Sequence, residues 1–124
     1  MRRRFKTNVS KAEKEILSLL QKHGYETVSQ FKIEGLPYFY DFYFPKLNLL
    51  LEYNGSYYHA SPQKYKAGTL INMVGRGKLL VDYIWDKDAL KIHSAEKLGF
   101  RVKVLWEHDY KKEGWSAVLR TLAS

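Results

Sequence analysis

The chain has 124 residues, room for one domain, and carries 21 Lys and Arg against 13 Asp and Glu, a formal charge of +8 at neutral pH. With 45% hydrophobic and 15% aromatic residues it can bury a core, which excludes a disordered basic tail, while the charge calls for an anionic partner. The absence of cysteine excludes a disulfide scaffold, a thiol nucleophile and a thiolate zinc site. No apolar run approaches the roughly 18 residues that span a bilayer, and no signal-peptide apolar region follows Met1-Arg2-Arg3-Arg4. The expectation is a soluble, intracellular (cytoplasmic) protein with no membrane partner.

Arg2, Arg3, Arg4 and Lys6 load residues 1–9 with positive charge, either as a frayed, solvated terminus or as an arm that contacts phosphates. Ser10-Lys11-Ala12-Glu13 has the pattern of a capping box and predicts a helix start. Ile16, Leu17 and Leu20 continue at helical spacing, Gly24 offers a stop, and Glu13 lies on the same stripe. The pattern then changes to short β-rich runs. Strands are expected at 28–33 and 38–44, with Glu34-Gly35-Leu36-Pro37 turning between them, and at 49–53 after Pro45-Lys46-Leu47-Asn48. The near-continuous apolar run Leu49 to Tyr53 is that of a central strand covered on both faces.

Residues 60–85 show poor periodicity and are punctuated by Gly68, Gly75 and Gly77, so a flexible insertion is expected there. With the preceding Asn54, Tyr57 and Tyr58, its Lys64, Lys66, Arg76 and Lys78 suit a flap facing nucleic acid, together with Tyr65, Tyr83 and Trp85, although some of these aromatics must pack on the core. Asp86-Lys87-Asp88 can cap a helix that runs to Leu98 and stops at Gly99. Phe100, Val102, Val104 and Trp106 alternate as a strand, and Trp115, Val118, Leu119 and Leu122 form one face of a last helix. The expected fold class is α/β: one domain over 1–124, with a central mixed sheet of about four strands flanked by helices in the order αβββ-insertion-αβα.

Asp41 sits among aromatics in Tyr38-Phe39-Tyr40-Asp41-Phe42-Tyr43-Phe44, and Glu52 follows Leu49-Leu50-Leu51. Ionised carboxylates in such strands are costly unless paired or bound to a cation. Alone, Asp41 could face solvent from the polar face of an edge strand and Glu52 from its strand's exposed end. Side by side on one hairpin they share a proton or hold a divalent metal through hard oxygens, and on a basic chain the metal reading is favoured. Gly75-Arg76-Gly77 is too short for a phosphate-binding loop. His23, His93 and His108 read as surface or packing residues.

Asp41 followed by Glu52-Tyr53-Asn54-Gly55 resembles the PD-(D/E)XK nuclease signature, and most closely the very-short-patch-repair-like branch that includes phage homing endonucleases. Ser10-Lys11-Ala12-Glu13-Lys14 is similar to that branch's Glu-bearing first helix. Asn54-Gly55-Ser56-Tyr57-Tyr58-His59 resembles its turn ending in aromatic, aromatic, His. Asp88 with Lys91, Lys97-Leu98-Gly99-Phe100-Arg101-Val102 and Leu105-Trp106-Glu107 are similar to its closing helix and strand. The likeness spans about residues 10 to 109 and implies a restriction-endonuclease-like core.

The resemblance implies a metal-dependent DNA endonuclease that uses Mg2+ or Mn2+ on double-stranded DNA. Asp41 would be the main metal ligand, with Glu52 or the Tyr53 carbonyl beside it, and His59 the general base or leaving-group acid. Asp88 would orient His59 or a water, against an ordinary role as a helix N-terminal acid. Lys91 would offset phosphate charge, against a solvated helix lysine, and Glu13 would reach the site from the first helix while also serving its cap. Two departures stand out. Asn54 occupies the place of the usual lysine two residues after the acidic strand residue, and without cysteines no zinc is expected, which favours the homing branch over mismatch repair. Alternatives are a mismatch-repair-type, recombination-intermediate or RNA nuclease, or a non-catalytic nucleic-acid-binding domain. The small size admits a homodimer or a catalytic domain of a longer chain.

Overall fold

A computed structural model describes residues 9–124. Arg2, Arg3, Arg4 and Lys6, the expected phosphate-contacting arm, lie outside the described residues. Helix α1 (Lys11–Lys22) begins at the expected capping box: Ser10 Oγ accepts the Glu13 N–H at 3.1 Å, and the Glu13 carboxylate reaches back to the Ser10 N–H at 3.5 Å. Its buried stripe is Glu13, Ile16 and Leu20.

Strands β1 (Val28–Lys32), β2 (Phe39–Phe44) and β3 (Leu49–Asn54) form an antiparallel meander, and β6 (Arg101–Trp106) runs parallel to β3, giving a mixed sheet in the order β1-β2-β3-β6. All six residues of β3 are buried, as the unbroken apolar run requires of a central strand. Leu49, Leu51 and Tyr53 pack with Ile16, Phe44, Leu105 and Val118, the last from α4 (Trp115–Ala123). Leu50 faces the other way, with Tyr40 and with Ala95 of α2 (Val81–Lys97). The sheet is thus covered by α1 and α4 on one face and by α2 on the other, consistent with a restriction-endonuclease-like core.

Three expectations need correction. Residues 60–85 are not an irregular insertion: they contain a hairpin, β4 (Leu70–Met73) with β5 (Gly77–Leu80), and the start of α2. Four-residue strands with one buried face leave little periodicity to read. Helix α2 begins at Val81 and not at Asp86-Lys87-Asp88. Among the described residues no side chain caps it. Its first turn is held by tertiary contacts, with the Val81 N–H on the Thr69 carbonyl at 2.9 Å and the Asp82 carboxylate on the Gly68 N–H at 2.7 Å, while Val81 and Ile84 pack with Ala60, Ile71 and Met73. Tyr57, Tyr65 and Trp85 join that cluster, so these aromatics are core and not flap. Finally, a short helix α3 (Glu107–Glu113) precedes α4, the two separated by Gly114 at φ +58°. Among the described residues no helix is long and apolar enough to cross a membrane.

The sheet's central strand dominates stability. Leu51→Ala, at a fully buried position, is expected to cost about 3 kcal/mol, whereas Leu119→Ala, on the exposed side of α4, costs well under about 1 kcal/mol. Urea midpoints of the two variants against wild type check the difference.

Candidate active site

The β2–β3 register runs Phe44↔Leu49, Tyr43↔Leu50 and Phe42↔Leu51. One step further Asp41 and Glu52 face each other, and their carboxylates take over the work of ladder carbonyls. Glu52 Oε1 accepts the Asp41 N–H at 2.8 Å, and Asp41 Oδ2 accepts the Tyr53 N–H at 2.8 Å. Both residues are buried, at 4% and 6% exposure, so neither is an edge-strand residue facing solvent. On the other side of β2, Gln30 stands between the register pairs Ser29↔Phe42 and Phe31↔Tyr40 with φ +54°. Strict alternation fails there: Phe42 and Phe44 face the α1/α4 core, but Tyr40 faces α2. Among the described residues the buried Gln30 carboxamide oxygen has no hydrogen bond beside this inversion, a feature nothing in the sequence signals.

Helix α2 brings the other groups. Asp88 and Lys91 are one turn apart and so share a face. Lys91 Nζ lies 2.6 Å from Glu52 Oε2 and 5.0 Å from the centre of the Tyr40 ring, and the Tyr40 hydroxyl donates to the Lys91 carbonyl at 2.7 Å. Asp88 Oδ2 lies 2.9 Å from His59 Nδ1. Asp88 sits in the third turn of α2, which removes its reading as a helix N-terminal acid, and Lys91 is ion-paired and half-buried, not a solvated helix lysine. Burial and the neighbouring Asp41 push the Glu52 carboxyl up to about 7, against the opposing pull of the Lys91 ammonium and the Asp41 N–H. Glu13 is buried in its capping box on α1, near enough to Tyr53 to help raise that hydroxyl's pKa, though burial and Glu107 raise it more.

The donor set suits a hard divalent cation. Two carboxylates meet between adjacent strands, and a lysine ammonium already stands against one of them as a positive charge. Among the described residues no group of three or more His, Asp or Glu side chains is arranged to hold a metal. An ion here would be held by Asp41, Glu52 and the Tyr53 carbonyl, the sparse protein ligation that magnesium, which keeps several waters, commonly accepts. The residues fit it.

The expected nucleic-acid-facing residues divide. Asn54 is buried at the end of β3 and Tyr57 packs inward, its hydroxyl donating to the Asn72 carbonyl. Asn54 therefore presents little to solvent, whereas Tyr57 is half-buried. Tyr58 is 61% exposed, and Lys64, Lys66, Arg76 and Lys78 are all exposed. Arg76 joins Tyr58, His59, Tyr83, Lys87 and Asp88 around a cleft of about 140 Å³. A larger concavity, about 560 Å³, lies instead between α1 and α3, lined by Lys11, Glu15, Tyr53, Tyr110 and Lys111, and does not include His59, Asp88 or Lys91.

Two connections escaped sequence reasoning because they join residues some 50 positions apart. Glu107 Oε1 accepts the Ser56 N–H at 3.1 Å and its other oxygen pairs with Lys111 at 3.2 Å. His108 Nε2 lies 3.1 Å from Ser61 Oγ, with Nδ1 3.2 Å from Asp109. That Ser-His-Asp string is structural: Ser61 is fully buried and its Oγ also accepts the Gln63 N–H. His23 stacks on Trp115 at 4.2 Å, and His93 is exposed.

Removing Lys91 while keeping Glu52 strands a buried carboxylate. Lys91→Met is expected to cost roughly 3 kcal/mol, and Glu52→Gln in the same chain to recover most of it, read by urea denaturation. Although partial burial pushes the Glu107 carboxyl up, the Ser56 N–H and Lys111 outweigh it and hold it below the usual carboxylate range. A depressed carboxyl contributes stability above its ordinary pKa and loses it as pH falls through the folded value. Glu107→Gln therefore lowers the thermal midpoint modestly at neutral pH, and the difference from wild type shrinks as the pH falls through the carboxylate range. Compared with known proteins, the chain matches no protein-family model and no curated protein.

Proposed function

We propose that the chain is a metal-dependent DNA endonuclease, most similar to the catalytic domain of a homing endonuclease of the PD-(D/E)XK type. One observation carries this reading: a buried Asp41–Glu52 pair stands beside two charged contacts delivered by a single turn of α2, Lys91 to Glu52 and Asp88 to His59. A purely binding surface has no use for two buried carboxylates. The fold's own economy favours removing them.

Asp41, Glu52 and the Tyr53 carbonyl would hold the ion. When bound, Mg2+ or Mn2+ offsets the charge of the scissile phosphate and eases deprotonation of the attacking water. The remaining steps belong to side chains. Asp88 accepts the His59 Nδ1–H, which fixes the tautomer and leaves Nε2 as the base that takes the water's proton. Attack at phosphorus breaks the bond to the leaving sugar oxygen, and the protonated His59 or bulk water returns a proton to it. Lys91 supplies from α2 the ammonium that the usual motif places two residues after Glu52, where this chain has the buried Asn54. Glu13 closes the α1 side of the same strand pair.

A second reading, a non-catalytic nucleic-acid-binding domain, draws on the fact that both carboxylates already accept backbone N–H groups. Incubation of supercoiled plasmid with the protein in Mg2+, in Mn2+ and in chelator separates the two. The endonuclease gives nicked or linear product with metal and none with chelator. Asp41→Ala abolishes it and His59→Ala slows it about 10²-fold or more with loss of one limb of the pH–rate profile. Cutting that survives Asp41→Ala, or intact plasmid under every metal tried, sinks the endonuclease reading.

A further inference from the structure

The hairpin β4–β5 is a two-stranded sheet of its own, and its turn residue Arg76 lines a cleft with His59 and Asp88. Between Glu52 and Asp82 the chain carries no acidic residue and four cations, Lys64, Lys66, Arg76 and Lys78. Ile71 and Met73 point inward against Ala60, Val81 and Ile84, so strand alternation sends Leu70 and Asn72 outward. In the register Asn72 pairs with Lys78 and Leu70 with Leu80, and all four are exposed. At the tip Val74 is 77% exposed, and the turn closes through Gly75 and Gly77, both at positive φ, with the Arg76 N–H on the Met73 carbonyl at 3.0 Å. The backbone is held from beneath, where the Tyr57 hydroxyl donates to the Asn72 carbonyl. The carboxamide of Asn72, the guanidinium of Arg76 and the ammonium of Lys78 have no hydrogen-bond or ion-pair partner among the described residues.

We infer that the β4–β5 ribbon is the sequence-reading element of this protein and enters the major groove of duplex DNA with Asn72, Lys78 and Arg76 toward the base edges. The inference rests on the reading of DNA as the substrate and adds how a site on it is chosen. A two-stranded ribbon fits the roughly 12 Å major groove of B-form DNA and is too wide for the deep, narrow one of A-form RNA. Strands of four residues are about 13 Å long, enough to cross that groove once. The exposed groups are those the groove discriminates: a carboxamide that pairs with adenine N6 and N7, cations that pair with guanine O6 and N7, and apolar side chains, Leu70 and Leu80, that pack on thymine methyls. Lys64 and Lys66, on the loop before β4, remain for the phosphates. Arg76 shares its cleft with His59 and Asp88, so bases read at the ribbon lie within a few nucleotides of the phosphate at the candidate site.

Selection of bound duplexes from a randomised pool, performed with the whole chain in chelator so that no strand is cut, tests this directly. The wild-type chain enriches a short motif. Asn72→Ala loses discrimination at one or two adjacent base pairs by about tenfold or more, Lys78→Ala does so at the neighbouring pair, and both retain the wild-type thermal midpoint because the side chains are exposed. A pool with no enriched motif, or variants that keep the full motif, overturns the inference. So does a uniform loss of affinity across all sequences with a shallower salt dependence, the mark of phosphate contacts alone. Because the selection needs no cleavage, intact plasmid alongside a motif that Asn72→Ala erases removes the endonuclease and keeps the ribbon. Metal-dependent cutting alongside an unaltered motif does the reverse.

Discussion

The rest of the molecule depends on how β2 and β3 part at Asp41 and Glu52. A sheet interior demands that every backbone N–H find an acceptor, and here two of them find side-chain carboxylates in place of carbonyls. That substitution puts two carboxyl groups, which carry charge there only at a cost, inside a sheet whose β3 is buried along its whole length. Such charges need a cation. Lys91 meets Glu52 from α2, and with Tyr40 bonded to the same residue's carbonyl the pairing fixes where α2 lies against the sheet. Once Lys91 is placed, helical geometry places Asp88 one turn away on the same face, and Asp88 in turn orients His59 at the exit from β3. Electrostatic necessity at one strand pair thereby brings the residues of the candidate site together from β2, β3 and α2.

A second cluster, independent of the sheet, supports the periphery. Ala60, Ile71, Met73, Val81 and Ile84 bury the inner face of the β4–β5 ribbon and the first turn of α2 together, with Trp85 bonded to the Ala60 carbonyl at 2.6 Å. Short two-stranded ribbons are marginal by themselves, and this one is stable because α2 starts early enough to lie under it. The same cluster lets α2 serve both ends: its N-terminal turns hold the ribbon and its middle turns hold the carboxylates. The basic ribbon and the acidic strand pair are therefore rigidly related through one helix.

Much of the architecture was legible from pattern alone. The capping box at Ser10, the apolar run at Leu49 to Tyr53 and the alternation from Phe100 to Trp106 each encode a local preference that the fold respects. The candidate site was legible in part, because a carboxylate among aromatics or at the end of a leucine run signals cost wherever it is placed. Less legible was everything that depends on non-local partners. The start of α2 at Val81 is set by packing and by bonds to Thr69 and Gly68, not by a cap, so the Asp86-Lys87-Asp88 cluster misled. Asn54 reads as a surface group by composition and turns out buried, and Tyr57 turns out half-buried, since aromatic and amide side chains suit either environment.

The sequence by itself determined α1, the four strands of the main sheet and α4, the basic charge of the 53–81 segment and the presence of two carboxylates in apolar strands, because each of these follows from residue type and short-range spacing. Tertiary structure alone decided that Lys91 answers Glu52, that Asp88 answers His59, that Gln30 inverts β2 opposite Asp41, and that the glycine-punctuated stretch is a ribbon with one inward and one outward face. Those outcomes depend on contacts between residues 11 to 39 positions apart. Only the closing of the chain on itself decides which buried charge finds which partner.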